Sequence, residues 1–499
     1  MYYNFKNLLS KESLDHRDRD AKTESVYYRL YRALKHAIQT KSLPDNFRMP
    51  PSRILANDLH LSRSTVLKAY DLLIFENLLI SKQGSGYYTN QPETDSRIAK
   101  EMILQKKEPN LYPKISKLGK SFIRHAEFDV SENYTGSVCF RPGLPPLDIF
   151  PIAIWQKLSN DYWKHVQYTD LSYSDSLGME SLRTNISEYL KIYRNITCDP
   201  DQIVVTTGSL HSLSLVSLAV LNAGDPVILE TPTYKYAFNL FKSLKAKIHP
   251  AGLSDIDFQI ASLDDIESKL LYSIPSDQYP TGQRMSLKRR KQILDFAAQK
   301  NLLIVEDDYD HEFSNWEKPI PAIFSLDINE CVIYLGTFNK LLHPSLRLGY
   351  MIIPKYLINT ITAVSKQTYR FVAPSQQSVM AQFISEDYLN KHLRKVVKVS
   401  NERKLFFISY FQTLFKDEIQ LEVNNTGLHI IGILRNDVQD VGFCHYLRTN
   451  DILAFPLSSY YLNETSRNGL VMGYCSVNKV LIKKNLDKLY ALYQKYIHP

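Results

Sequence analysis

Apolar positions in the first 90 residues recur at helical spacing in three segments that are separated by polar turns. We predict helices over 26–38, 52–58 and 62–75, and Ser52 and Ser62 stand where the second and third helices need an N-terminal cap. Four residues of the third helix form the apolar stripe that would be buried: Val66, Ala69, Tyr70 and Leu73. The spacing therefore predicts a small helical module.

A hairpin is predicted directly after these helices. Residues 79–82 and 87–89 are short runs of strand-forming residues, and the turn between them contains Gly84 and Gly86. A short helix, a turn, a second helix and a hairpin form the winged helix-turn-helix pattern, in which the start of the second helix enters the major groove of DNA. The simpler interpretation is a small helical domain with a solvated basic face.

Beyond residue 136, short apolar runs alternate with helical stretches, which is typical of an α/β fold with a parallel sheet. Five strands are predicted there: Ile203–Thr207, Val227–Leu229, Leu270–Ile274, Leu302–Glu306 and Val332–Gly336. Residues 91–135 are interpreted as a linker because most of them show no sustained periodicity. The domains would then be a DNA-binding module over 25–90 and a large domain over 136–499, whose part from about 370 to 499 is a small α+β subdomain.

Unusual residues follow the ends of three predicted strands, at the edge where open α/β sheets bind ligands. The first group, Thr207-Gly208-Ser209-Leu210, joins a strand to a helix whose free N–H groups are suited to phosphate, although such junctions are common. In the second group a buried strand runs into four carboxylates and Tyr309. Buried carboxylates need partners, and either a metal ion or a protonated heterocyclic nitrogen would provide one.

The third group contains Lys340, with Thr337 and Asn339 before it and Arg347 seven residues after it. A lysine just beyond a buried strand, flanked by hydroxyl and amide groups, is suited to Schiff-base formation. Taken alone it would be a surface-loop lysine. Because it would share one sheet edge with the phosphate-type turn and the acidic strand end, we favour a cofactor site.

The composition fits a soluble globular protein of more than one domain, with 499 residues, 44% of them hydrophobic and 22% charged. The formal charge is +8, and residues 26–90 carry nine basic and four acidic side chains, so the surplus is concentrated on the predicted winged helix. The sequence shows no signal-peptide core, no apolar run long enough for a membrane span, and five widely spaced cysteines. We therefore expect a cytoplasmic protein, and the scattered histidines predict no metal site.

The N-terminal module resembles the winged helix of GntR-type transcription regulators from Tyr28 to Thr89. The matching segments are Arg48-Met49-Pro50-Pro51-Ser52-Arg53, Leu61-Ser62-Arg63-Ser64-Thr65-Val66 and Gly84-Ser85-Gly86. The resemblance implies double-stranded operator DNA as a partner. The residues that it places on DNA are Ser52, Arg53, Arg63, Ser64, Thr65, Lys68, Lys82 and Gly84. Arg53 and Lys82 would hold phosphates, while Arg63 could read a guanine edge.

The large domain is similar to fold-type I aminotransferases, which use pyridoxal 5′-phosphate. The matching segments are Phe140-Arg141-Pro142-Gly143, Thr206-Thr207-Gly208-Ser209, Glu230-Thr231-Pro232-Thr233-Tyr234, the stretch from Pro275 to Gly282, Glu306-Asp307-Asp308-Tyr309-Asp310, and the segment with Lys340 and Arg347. Together with the winged helix, the chain resembles the MocR (GabR-like) regulators, in which a GntR-type module is fused to such a domain.

By this resemblance Lys340 would form the Schiff base with the cofactor, and Asp307 would pair with its pyridinium nitrogen. Tyr309 would hydrogen-bond the phenolate oxygen, and Tyr234 would stack on the ring. Glu306 and Asp308 are one residue from Asp307, and strand alternation would point them elsewhere. The phosphate would be held by the turn and two further side chains: Gly208, Ser209, Leu210, Thr337 and Arg347.

Three residues depart from the family pattern: Asn339 where many relatives have serine, Asp277 where histidine is common, and Tyr279 where aminotransferases have asparagine. The last departure is shared with the regulators. Enzymes of this fold usually hold an amino-acid carboxylate with an arginine on a late strand, here residues 469–474, which contain none. Arg467 just before that strand and Tyr236 are therefore our candidates for effector binding.

These resemblances predict a transcription regulator that senses pyridoxal 5′-phosphate, or an amine or amino acid that forms an external aldimine with it. They also imply a head-to-tail homodimer. One alternative is an active aminotransferase with an accessory DNA-binding module, and for the regulator only weak transaminase activity is expected. Another is a cofactor-free remnant that acts as a DNA-binding dimer.

Overall fold

The computed structural model describes residue 5 and residues 25–90, 114–126, 139–254, 258, 260–313, 320–423, 427–462 and 466–498. The chain divides into two compact units, Met1–Lys114 and Ile115–Pro499. Each of them is described by itself.

The N-terminal unit is a winged helix-turn-helix, as predicted. Its elements are α1 (Val26–Gln39), α2 (Ser52–Leu59), α3 (Arg63–Phe75), β1 (Leu79–Lys82) and β2 (Gly86–Thr89). The two strands pair antiparallel to form the wing, with Lys82 opposite Gly86. Its core includes the predicted stripe of α3 packed against α1 and α2: Leu30, Leu34, Ile38, Leu55, Val66, Ala69, Tyr70 and Leu73.

The two helix starts of this unit behave differently. Ser62 caps α3 as predicted, because its hydroxyl accepts a hydrogen bond from the Thr65 N–H at 3.1 Å. The prediction that Ser52 caps α2 is wrong, since Pro51 is the capping residue and no side-chain cap is formed. Ser52 is instead the first helical residue. Pro51 has a φ of −51° and a ψ of 139°, which is not helical, and the helix begins directly after it.

The first elements of the large unit are five α-helices and three strands. These elements are α4 (Lys117–Ala126), α5 (Ile152–His165), α6 (Glu180–Arg194), β3 (Ile203–Thr206), α7 (Ser209–Val220), β4 (Pro226–Glu230), α8 (Lys235–Ser243) and β5 (Lys247–Ala251). The next elements are β6 (Leu270–Ser273), α9 (Leu287–Lys300), β7 (Leu303–Asp307), α10 (Ile323–Leu326), β8 (Val332–Thr337), β9 (Gly349–Ile352), α11 (Ile358–Thr368) and α12 (Pro374–Ser385). Helix α4 falls inside the segment interpreted as a linker, and it packs against α8.

Seven of these strands form one sheet in the order β3-β9-β8-β7-β6-β4-β5. All five predicted strands are present, and their side chains are almost entirely buried, as expected for strands covered on both faces. The sheet is mixed, because β9 pairs antiparallel with both β3 and β8. The short connection between β8 and β9 contains no crossover helix, and parallel neighbours usually need one.

The C-terminal part contains a second, smaller sheet. The elements of this part are the long helix α13 (Tyr388–Phe415), β10 (Gln420–Glu422), β11 (His429–Ile433), α14 (Asp440–Thr449), β12 (Phe455–Pro456), β13 (Gly469–Gly473) and α15 (Lys479–Ile497). The four strands pair antiparallel in the order β10-β11-β13-β12. Among the residues that the structure describes, no helix is both long and apolar enough to cross a membrane.

Gly349, the first residue of β9, lies against the backbone of the turn that follows β3. A methyl group at position 349 would be 2.9 Å from Gly208 Cα and 3.0 Å from the Gly336 carbonyl oxygen. Neither atom can move without distorting the sheet. We therefore expect Gly349→Ala to lower the free energy of unfolding by about 1–3 kcal/mol, the usual cost of overpacking.

Urea unfolding followed by tryptophan fluorescence measures this change, since all three tryptophans lie beyond residue 115. Gly442→Ala is the matched control. In the middle of α14, its methyl group would meet only the Tyr496 hydroxyl, at the end of a side chain that can move aside. Equal stability of both variants and the original chain would contradict the close approach.

Candidate functional site

A cavity of about 600 Å³ lies at the edge of the large sheet where the parallel strands end. It brings together all nine residues that the sequence predicts for the cofactor: Gly208, Ser209, Leu210, Tyr234, Asp307, Tyr309, Thr337, Lys340 and Arg347. Their separation along the chain is large, so the fold itself assembles the site. The roles of these residues toward a ligand stay predictions.

Lys340 reaches into the cavity from the loop that follows β8. Its Nζ donates a hydrogen bond to the Gly143 carbonyl oxygen at 2.9 Å and lies 5.3 Å from the centre of the Tyr309 ring. A side chain on Gly143 would occupy the position of this amine, and Gly143 also has a φ of 71°. Burial lowers the pKa of Lys340, although Asp310 and Asp307 oppose that shift. A lowered lysine pKa favours the nucleophilic neutral amine.

Asp307, the last residue of β7, points one carboxylate oxygen into the site. Its Oδ2 accepts a hydrogen bond from the Tyr272 hydroxyl at 2.8 Å, while Oδ1 is buried and has no hydrogen-bond partner within the described part of the chain. Burial raises the pKa of Asp307 to about 6. A buried acceptor without a partner is costly, so this oxygen is suited to a ligand N–H.

The neighbours of Asp307 point away from the cavity, as strand alternation predicts. Glu306 accepts hydrogen bonds from the backbone N–H groups of Ile323 at 2.9 Å and Phe324 at 2.8 Å. Asp308 is paired with the Arg194 guanidinium at 2.7 Å. Burial raises the pKa of Asp308, but the charge of Arg194 outweighs it and holds the pKa well below its usual range. Glu306 and Asp308 therefore have partners within the protein.

Asp277, which replaces a common histidine, does not line the cavity. It is fully buried, and a methyl group on Gly427 would lie 2.5 Å from its Oδ2. Burial raises the pKa of Asp310 well above its usual value, and the neighbouring Asp277 adds to this effect. Asp310 therefore favours its protonated form, and neither Asp310 nor Asp277 lines the cavity.

The opposite end of the cavity is formed by the start of α7. Gly208 has a φ of 125° and precedes the helix, and its carbonyl oxygen accepts the first helical bond, from the His211 N–H at 3.0 Å. The N–H groups of Ser209 and Leu210 come before that bond, at the positive end of the helix dipole. Arg347 lines the same cavity. Burial lowers the pKa of His211 to about 4, and the charge of Arg347 contributes to this shift. This end is suited to an anion.

Aromatic side chains form the remaining walls. The Tyr234 ring packs edge-to-face on Tyr279, with 6.1 Å between ring centres, and the Tyr279 hydroxyl lies 3.3 Å from that of Tyr460. The Tyr309 hydroxyl donates to the Asp277 carbonyl oxygen at 3.1 Å. That bond uses the Tyr309 hydroxyl hydrogen, so the predicted contact to a phenolate oxygen requires the hydrogen to turn toward the cavity.

The two effector candidates have different positions. Tyr236 lines the cavity, as predicted. The prediction for Arg467 is wrong: it does not line the cavity, and its guanidinium is held by Glu422 of β10, with Nη1 3.1 Å from Oε2. The ion pair with Glu422, a residue of the strand β10 in the same small sheet, occupies the guanidinium of Arg467.

Sequence reasoning assigned no role to several residues of the site. Arg141 and Asn339 line the cavity, and Tyr272 orients Asp307. The segment with Arg141 was matched to the family only as a motif, and nothing in the sequence places it beside Lys340. Tyr272 carries no signal either, since every residue of β6 is buried.

The winged helix presents most of its predicted DNA contacts to solvent. Arg53, Arg63, Ser64 and Lys68 are exposed on α2 and α3, and Lys82 and Gly84 are exposed on the wing. The structure does not support Ser52 as an outward contact, because it is only 8% exposed and its hydroxyl faces the Arg63 Nε at 3.4 Å. The half-buried Thr65 also uses its hydroxyl locally, against Ser62 at 2.7 Å. Arg63 is thus oriented partly by Ser52.

A winged helix and a lysine-bearing cavity on a mixed α/β sheet define a DNA-binding protein built on an aminotransferase fold. Residues 150–473 match the family described as aminotransferase class I and II, and residues 26–88 match the bacterial regulatory proteins of the gntR family. The chain belongs to the class I and II aminotransferase family through its large unit and, with its gntR module, to the MocR-type regulators.

Relatives match along nearly their whole length. The protein described as a rhizopine catabolism regulatory protein, MocR of Rhizobium meliloti, is 28% identical over 95% of this chain and 94% of its own. The HTH-type transcriptional regulator YdeL of Bacillus subtilis is also 28% identical, over 94% of this chain and 97% of its own. The HTH-type transcriptional regulator NorG of Staphylococcus aureus is 24% identical, over 90% of this chain and 100% of its own. The homologues are thus HTH-type transcriptional regulators with an aminotransferase-like domain.

Solved structures agree on the fold of the large unit. An archaeal alanine:glyoxylate aminotransferase is 21% identical, with a TM-score of 0.66, over 77% of this chain and 96% of its own. LysN, the α-aminoadipate aminotransferase of Thermus thermophilus, is 22% identical, with a TM-score of 0.65, over 71% of this chain and 92% of its own. At this level of identity the similarity establishes the fold alone.

The pair between Arg194 and Asp308 is buried on both sides, so its loss is expected to be costly. We expect Arg194→Met to lower the stability of the large unit by roughly 3–5 kcal/mol at pH 7, because Asp308 is left buried without its partner. The lowered pKa of Asp308 stabilises the native chain above about pH 4, the unfolded value, and this contribution is lost as pH falls through the lowered value. In the variant Asp308 is buried without its partner, which raises its pKa above the unfolded value, so the deficit should shrink as the pH falls toward 4 and the carboxyl takes up a proton.

Urea unfolding at pH 7 and pH 4.5 measures both effects. The double variant Arg194→Met/Asp308→Asn removes the unpaired charge and should recover much of the loss at pH 7. A deficit that is independent of pH, with no recovery in the double variant, would count against a charge effect.

Proposed function

We propose that this chain is a transcription regulator that uses pyridoxal 5′-phosphate as a cofactor and binds operator DNA through its winged helix. It would sense the cofactor itself, or an amine or amino acid that reacts with the cofactor in place of Lys340. The observation that supports this most is the arrangement around Lys340. A buried lysine, a carboxylate oxygen without a partner and the start of a helix face one cavity of suitable size.

The cavity residues fit pyridoxal 5′-phosphate. The Ser209 and Leu210 N–H groups, with Thr337 and Arg347, would hold its phosphate, and Asp307 would accept the proton of its pyridinium nitrogen. When bound, the cofactor supplies an aldehyde that condenses reversibly with primary amines. Burial lowers the pKa of two lysines that line the cavity, Lys340 and Lys235, and Lys340 is the one whose Nζ lies over the Tyr309 ring, beside the Gly143 carbonyl. The similarity to aminotransferases supports the same assignment.

The winged helix supports the DNA-binding part of the proposal. Exposed Arg53, Arg63 and Lys68 lie on the helix-turn-helix, and the wing adds Lys82. Regulation requires that effector binding in the large unit changes the affinity of the N-terminal unit for DNA. By linkage, DNA binding must then change the affinity for the effector by the same factor.

We further propose that the chain acts as a homodimer. Several large apolar side chains between α5 and α6 are exposed, among them Trp163, Tyr168, Leu171 and Tyr173. A soluble protein rarely leaves so much apolar surface uncovered, which supports a protein partner at this place.

An aminotransferase with an accessory DNA-binding module is the second candidate function. The presence of both Lys340 and Asp307 in the cavity favours this function, because an enzyme of this fold has both residues. Steady production of a keto acid from an amino donor would identify this activity, whereas the regulator requires sequence-specific DNA binding.

Reduction with borohydride tests the cofactor assignment. We expect the purified chain with pyridoxal 5′-phosphate to absorb visible light and, after reduction, to carry the cofactor on the peptide that contains Lys340. Lys340→Ala should lose this label, because the amine that faces the cavity is gone. Lys235→Ala, which removes another lysine of the cavity, is the control and should keep the label. A label that persists on another lysine in Lys340→Ala would refute the assignment.

DNA binding is tested with the duplex that lies upstream of the chain's own gene. Arg63→Ala should weaken specific binding about 5- to 150-fold, because the loss of a base contact costs about 1–3 kcal/mol. Lys41→Ala, an exposed lysine in the turn after α1, is the control. Binding of the original chain should also fall with rising salt. Equal affinity of the two variants would contradict the position assigned to the recognition helix.

A further inference from the structure

An arginine outside the late strand lies where an amino-acid carboxylate would need a cation. Arg141 belongs to the loop 139–146, and its side chain lines the cavity next to Lys340 and Tyr279. Arg467 is held by Glu422, so the strand that usually supplies the arginine offers none to the cavity. The loop therefore takes the place of that strand as the source of positive charge.

The loop is fixed against the end of this same strand. The Gly473 N–H, at the end of β13, donates to the Phe140 carbonyl oxygen at 2.8 Å, and a side chain at position 473 would collide with the Arg141 carbonyl. Phe140 is buried in the core of the C-terminal part, with its ring edge-to-face on Phe407 at 5.9 Å. The backbone of Arg141 is thus held between two anchored points, Phe140 and the Gly143 carbonyl that Lys340 contacts.

The charge of Arg141 acts inside the cavity. Burial lowers the pKa of Lys340, and the nearby guanidinium of Arg141 lowers it further. Burial raises the pKa of Tyr279 to about 12, and the same guanidinium opposes that shift. Both effects require the guanidinium to lie close to the lysine amine and to the tyrosine ring.

The other cationic side chains of the cavity are less suited than Arg141 to binding an amino-acid carboxylate. The described residues that line it include four cationic side chains, Arg141, Lys235, Lys340 and Arg347. Lys340 is the reacting amine, and Arg347 lies at the helix end that is suited to phosphate. Lys235 has a pKa lowered by burial, so its charged form is disfavoured, whereas an arginine stays charged and binds a carboxylate with two parallel hydrogen bonds.

We propose that Arg141 is the residue that binds the carboxylate of the effector, and that the effector is consequently an amino acid and not a simple amine. This inference rests on the proposed function, because it takes the cavity to hold pyridoxal 5′-phosphate and to admit a primary amine. Arg141 determines specificity: it selects among amines and takes no part in the reaction at Lys340.

Matched pairs of ligands test this assignment. The full chain loaded with pyridoxal 5′-phosphate is titrated with L-leucine and isopentylamine, and with β-alanine and ethylamine. Within each pair the molecules differ only by the carboxylate. The change in the visible spectrum gives a dissociation constant for each. The original chain should favour the amino acid at least tenfold in one or both pairs.

In Arg141→Gln this preference, taken as the ratio of the two dissociation constants within a pair, should fall about tenfold or more, while the amines still change the visible spectrum. The amine titration shows at the same time that the variant is folded and loaded. Arg141→Lys should restore part of the preference, and Lys235→Gln should leave it intact. A preference that survives in Arg141→Gln, or that is lost in Lys235→Gln instead, would overturn the assignment.

The same titration separates the two proposals. If amines change the spectrum and the original chain shows no preference for either amino acid, the proposed function stands and the role of Arg141 is refuted. If neither amines nor amino acids change the spectrum of the loaded chain, amine sensing fails and the role of Arg141 fails with it.

Discussion

The burial of three consecutive carboxylates at the end of one strand is the constraint on which the site depends. Alternation along β7 sends Glu306 and Asp308 to one side of the sheet and Asp307 to the other. The two that point away are held by backbone N–H groups of α10 and by Arg194 of α6. Of the three carboxylates only Asp307 lines the cavity, and its Oδ1 has no hydrogen-bond partner among the described residues.

Close backbone contacts connect the C-terminal part to the cavity. Because Gly473 has no side chain, the loop 139–146 can pack against the end of β13. Because Gly143 has none, the amine of Lys340 can lie against the same loop. Neither position tolerates a side chain, so the cavity depends on two glycines as much as on its charged residues. The positive φ of Gly143 adds a conformational reason for glycine there.

The sequence was sufficient to predict the winged helix, five strands of the large sheet and nine residues that the fold brings to one cavity, whose roles toward a cofactor stay predictions. These features depend on local periodicity and on residues that follow strand ends. It was not sufficient for Ser52, whose cap is replaced by Pro51, or for Arg467, whose partner Glu422 lies 45 residues away. The antiparallel β9 and the position of Arg141 also escaped prediction. For Ser52 the neighbouring Pro51 decides, whereas contacts between distant segments decide the other three, and no local pattern records those contacts.

Each unit has a hydrophobic core of its own. The core of the winged helix is built from residues of the first 90, and the cores of the large unit are built from residues beyond 139. Among the residues that the structure describes, neither unit contributes a side chain to a core of the other. Substitutions that alter the choice of operator and substitutions that alter the choice of effector can therefore accumulate separately. A family built in this way can acquire new combinations of input and output by exchanging modules.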